Sequence, residues 1–90
     1  MRNNPLPTRK LQSSALSPAL CRAARGLLDW TQEELAERAD VSRSTVRDFE
    51  KERHGLQAAS AEQIVAAFDK AGVLFVAADG VGRGVRLRGL

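Results

Sequence analysis

Ninety residues with 43% apolar content suit one globular domain around a single small core. A lone cysteine, Cys21, excludes an internal disulfide framework, no apolar run approaches a membrane span, and the polar stretch Met1 to Ser14 lacks the hydrophobic segment of a secretory signal. The formal charge of +3 is concentrated at the two ends, since residues 17–72 hold eight bases against ten acids, a distribution that suits a nucleic-acid binder patterned locally at its centre.

Residues 1–16 carry Arg2, Arg9 and Lys10, two prolines and no periodicity, and read as a flexible basic arm. Arg9 and Lys10 suit either a plain leader or entry into a minor groove. Ser17 caps a first helix that has Pro18 at its first position, where a missing amide costs nothing. Leu20, Ala23, Ala24, Leu27 and Leu28 recur at helical spacing, and Cys21 is expected to pack rather than to act as a redox sensor. Thr31 and Glu34 have the spacing of a capping box, with Trp30 and Leu35 at the positions of a hydrophobic staple. Leu35, Ala36 and Ala39 form the apolar stripe of this second helix, and Ala36 is small where another helix must cross closely. Asp40 stands where a left-handed residue is needed, and Val41 anchors the turn. Ser42 is another N-cap, after which Val46 and Phe49 give a third helix its inner face and leave Arg43, Ser44, Arg47 and Asp48 outside.

The run TQEELAERADVSRSTVRDFE, from Thr31 to Glu50, resembles the helix-turn-helix of the lambdoid phage repressor and Cro proteins, the broad Xre family. The resemblance extends from about Leu20 to Phe68 and includes Ala36, Val41, Val46, Phe49 and the acidic Glu50. A glycine is usual in that family where this chain has Asp40. The resemblance implies that Gln32, Ser42 and Arg53 bind DNA phosphates and that Arg43, Ser44 and Arg47 face base edges. Thr45 is placed there too, at a base or at a phosphate or sugar. It also implies a structural ion pair between Arg25 and Glu50. The major groove of B-DNA admits one α-helix and shows a distinct donor and acceptor pattern for each base pair, so a guanidinium at a helix N-terminus is suited to guanine.

Beyond Glu50, KERHGLQAA is by that resemblance the loop along the DNA backbone, and His54 reads as a surface residue without metal-ligand spacing. Ser60 and Gln63 have capping-box spacing for a fourth helix, with Ala61, Ile64, Val65 and Phe68 on its buried face and Gly72 at its end. VLFVA and VRLR then read as the strands of a β-hairpin around a turn-rich Asp79 to Gly84; GVGRG lacks the Lys and Ser or Thr of a phosphate loop. Arg86 and Arg88 suit either phosphate contact or protection of the strand from indiscriminate pairing. Both faces of so short a hairpin seek cover, which predicts that it packs on its own bundle and pairs with, or packs against, the hairpin of a second chain, a two-fold dimer through Val73, Phe75, Val76, Val85 and Leu87.

The expected fold is therefore mainly α: a flexible arm (1–16), a four-helix repressor-like helix-turn-helix bundle (17–72) and a dimerising C-terminal β-hairpin (73–90). The expected function is a cytoplasmic, homodimeric regulator of transcription, a repressor that binds an inverted repeat in double-stranded DNA. An antitoxin or anti-activator using the same fold is the alternative, and a regulatory protein partner is left open. No enzymatic constellation, cofactor, metal, membrane partner or small-molecule ligand is expected.

Overall fold

In the computed structural model, residues 16–76 and 82–89 are described; the expected arm up to residue 15 and residues 77–81, where part of the expected Asp79 to Gly84 turn falls, lie outside them. The elements follow in the order α1 (Pro18–Leu28), α2 (Gln32–Ala39), α3 (Arg43–Glu50), α4 (Ala58–Lys70), β1 (Val73–Val76) and β2 (Gly84–Leu87).

Local chemistry sets most of these boundaries. The Ser17 hydroxyl accepts the Leu20 amide at 3.1 Å, and Pro18 opens α1 without a wasted donor. Helix α2 begins with a complete capping box: Thr31 N–H donates to Glu34 Oε1 at 2.8 Å, and Glu34 N–H donates to Thr31 Oγ1 at 3.0 Å. Helices α1 and α2 end alike, each on an aspartate in the left-handed region, Asp29 at φ 59 and Asp40 at φ 59. In both, the next amide reaches back across the last turn, Trp30 N–H to Arg25 O at 2.9 Å and Val41 N–H to Ala36 O at 3.0 Å.

Helix α4 departs from the sequence expectation. It starts at Ala58 with Gln57 as N-cap and no side-chain capping bond, so Ser60 lies inside the first turn. Two alanines with high helix propensity carry the helix back past the hydroxyl. Gln63 instead donates from Nε2 to the Asp40 carbonyl oxygen at 3.3 Å, tying α4 to the turn between α2 and α3.

The core is built from Cys21 and Ala24 of α1, Leu35, Ala36 and Ala39 of α2, Val46 and Phe49 of α3, Ile64, Ala67 and Phe68 of α4, and Val73 of β1. Burying each large side chain of this set contributes about 1.5–3 kcal/mol. Phe68 lies at its centre, stacked on Trp30 with ring centroids 5.9 Å apart and edge-on to Phe75 at 5.9 Å. Ala23 and Leu27 do not join this core: both are exposed, Leu27 at 41%, because the buried side of α1 runs through Cys21, Ala24 and Leu28.

The hairpin is antiparallel and pairs Val73 with Leu87, Leu74 with Arg86, Phe75 with Val85 and Val76 with Gly84. Strand alternation then puts Val73, Phe75, Val85 and Leu87 on one face. That face lies on the chain's own bundle, with Val73 only 1% exposed. Four of the five residues expected at a dimer interface therefore turn inward, and Val76 lies on the outer face beside Leu74. Arg88 fastens the end of β2, its amide donating to the Gly72 carbonyl and its guanidinium pairing with Asp69 at 3.1 Å.

Candidate nucleic-acid interface

The polar side of α3 is defined by what its other side buries. Val46 and Phe49 are committed to the core, which leaves Arg43 and Ser44 exposed and Thr45, Arg47 and Asp48 half-buried at the rim. The start of the helix is organised by hydroxyls. Ser42 Oγ accepts the Thr45 amide at 3.1 Å and lies 2.7 Å from Thr45 Oγ1 and 3.1 Å from Ser44 Oγ. Ser42 is thus occupied as a cap, although its residue remains exposed. Arg47 Nε donates to Asp48 Oδ1 at 3.2 Å; with 40% of its side chain exposed, this contact is a weak, solvated one.

Behind α3 stands a polar hub centred on Glu50, which is 3% exposed. Arg25 meets its carboxylate with both arms of the guanidinium, Nε to Oε2 at 2.8 Å and Nη2 to Oε1 at 2.7 Å, a planar fork suited to the group. Gln32 adds Nε2 to Oε1 at 3.1 Å, Arg25 Nη1 also holds the Trp30 carbonyl at 2.9 Å, and Arg22 Nη1 donates to the Glu50 carbonyl oxygen. Burial alone would raise the Glu50 pKa, but hydrogen bonds from Arg25, Cys21 and Gln32 outweigh it and hold the carboxyl below its usual value. Burial, reinforced by the neighbouring Glu50, pushes the Cys21 thiol far up, so it remains protonated. The hub joins α1, the entry of α2 and the end of α3, and so fixes the angle at which α3 is presented.

Gln32, Arg43 and Arg47 come together around one open cleft of about 540 Å³ that Arg25, Thr31 and Glu33 also line. Arg53 does not join it; it is exposed in the loop after α3, beside Glu52, whose backbone is left-handed at φ 61. Sequence reasoning did not find Arg22, Asp48 as the partner of Arg47, or the engagement of Gln32 with Glu50. Cap chemistry had a local signature; a guanidinium that reaches a main-chain carbonyl from another helix has none.

Two short helices joined by a tight turn, the second with its polar side outward, define a helix-turn-helix. A family described as helix-turn-helix matches residues 22–73, more than half of the chain. The chain belongs to the Xre and Cro-like helix-turn-helix family. Domains of this family are DNA-binding, non-catalytic modules. No curated protein matches the chain. Among the described residues no group of three or more His, Cys, Asp or Glu could hold a metal ion, and no helix is long and apolar enough to cross a membrane.

Proposed function

We propose that this chain regulates transcription as a homodimer that reads an inverted-repeat operator through the major groove. In this reading Arg43, Ser44, Thr45 and Arg47 lie at base edges, and Gln32, Ser42 and Arg53 hold phosphates on either side. The observation that carries it is the position of Arg43: exposed, without a carboxylate partner among the described residues, at the first turn of a helix whose apolar side is already used. Gln32 keeps one amide hydrogen free of Glu50, which it can donate to a phosphate oxygen. Arg47 must exchange its solvated contact with Asp48 for a base or a phosphate, a small cost.

The division of labour is a basic arm at 1–16, the DNA-reading bundle at 17–72 and a dimerising hairpin at 73–90. Within the hairpin, Val76 meets the second copy, while Val73, Phe75, Val85 and Leu87 hold the strands in place from beneath.

Selection of bound sequences from a random duplex pool tests the proposal directly. An inverted repeat with half-sites about one helical turn, roughly 34 Å, apart is the expected result. Arg43→Ala should lose about 1–3 kcal/mol at one guanine of each half-site and leave preference elsewhere intact. Unchanged preference at every position in that variant would remove Arg43 from base reading.

A further inference from the structure

A second concave surface lies between α2 and α4 and shares no residue with those placed at DNA. It is a groove of about 400 Å³ whose floor is Ala39, Ala66 and Ala67 and whose wall is Trp30. Arg38 and Lys70 are the charged residues that line it, and no carboxylate does. Neither cation has an ion-pair partner among the described residues. The Arg38 guanidinium lies 4.6 Å above the Trp30 ring, and Phe68 stacks against that ring at 5.9 Å. The indole is therefore held in place, and one of the two cations lies against it, before anything binds.

We propose that this groove docks an acidic segment of a partner protein, with an apolar side chain seated on Ala66 and Ala67 against Trp30 and flanking carboxylates paired with Arg38 and Lys70. The sign of the charge selects the occupant. The chain's own residues 1–16 carry Arg2, Arg9 and Lys10 and no acid, and Arg38 and Lys70 repel such a segment. A short acidic peptide carrying leucine supplies both parts of the complement: apolar surface for the alanine floor and anions for the rim.

Trp30 is the only tryptophan of the chain, so its emission reports occupancy directly. The full chain is titrated, without DNA, with a synthetic leucine and aspartate peptide lacking Trp and Tyr. Matched peptides with asparagine or lysine in place of aspartate, and hexanoate, are titrated alongside. Saturable change with the acidic peptide is expected, with binding weakened roughly tenfold in Lys70→Glu. The lysine peptide should prefer Lys70→Glu to the original chain, a reversal that mere damage to the fold cannot produce. Ala66→Phe, which fills the groove and leaves both cations in place, should block the acidic peptide.

The proposal is overturned if the asparagine peptide binds equally well, or if Trp30 emission ignores the acidic peptide. Hexanoate binding as tightly as the peptide would make this a small-molecule site. An emission change on concentrating the protein alone, abolished by Ala66→Phe, would assign the groove to a second copy. Because no DNA is present, none of these results bears on the operator reading, and failure of that reading leaves the groove untouched.

Discussion

Glu50 and Arg25 are not equivalent members of their pair, and the difference is measurable. The Glu50 side chain is 2% exposed and that of Arg25 19%, so only the arginine can turn to water if abandoned. Arg25→Met should cost about 3–5 kcal/mol, since it strands a buried carboxylate, and Glu50→Met should cost less. The double variant should be more stable than Arg25→Met alone, which chemical denaturation of the four proteins would show as a coupling energy; additive losses would mean that the pair contributes nothing as a pair. The same carboxylate makes stability depend on pH. Its folded pKa is depressed below 4.5, so its contribution is complete above that value and disappears as pH falls through the lower folded one. The advantage of the original chain over Glu50→Gln in thermal midpoint should therefore shrink on acidification below pH 4.5. A difference independent of pH would assign the effect to packing.

Among the elements, the turn between α2 and α3 makes a backbone demand that can be tested directly, because Asp40 holds φ 59 without the freedom of glycine. Asp40→Gly removes the steric penalty but adds chain entropy to the unfolded state, and a net gain of about 0.5 kcal/mol is expected. Asp40→Ala lacks the local hydrogen bonding that lets aspartate tolerate this region and should lose about 1 kcal/mol. Thermal midpoints in the order Gly, Asp, Ala would support this account; an unchanged or lowered midpoint for glycine would show that the aspartate side chain has another role. This turn also marks how far the sequence could be read. The caps at Ser17, Thr31 and Ser42, the left-handed Asp40 and the alternation of the strands were legible, since each is settled within a few residues. The start of α4 was not, because Ala58 and Ala59 extend a helix that needs no side-chain cap, while Gln63 serves the Asp40 carbonyl from 23 positions away. Asp29 repeats the Asp40 geometry yet went unread, as nothing in its neighbours distinguishes a left-handed aspartate from an ordinary loop one. In the candidate site, Arg25 and Glu50 were paired through family resemblance alone, and the Arg22 contact to a carbonyl left no trace in the sequence.

For the molecule as a whole, the decisive question is what covers the outer face of the hairpin. A two-stranded sheet is marginal alone, and here its inner face is stabilised by the bundle, leaving Leu74, Val76 and Arg86 outward on strands whose described edges are unpaired. Deleting residues 73–90 is a poor test of dimerisation, since it also strips Val73 from the core and Phe75 from the edge of Phe68. Leu74→Lys combined with Val76→Lys charges the outer face while sparing every inward residue. This variant should keep its helical circular dichroism, sediment as a monomer where the proposed homodimer of the original chain should sediment as a dimer, and occupy half-sites independently. Its affinity for the full inverted repeat should fall, because two linked recognition helices gain from effective concentration and two separate ones do not. Both proteins should still lose affinity with added salt, as phosphate contacts release counterions in either case. If the double lysine variant remained dimeric, the second copy would have to approach elsewhere, and exposed Leu27 on α1, with Ala23 one turn before it, offers another apolar surface. A Leu27→Lys variant measured in parallel separates the two arrangements: loss of the dimer in one variant and its survival in the other assigns the interface to the hairpin or to α1.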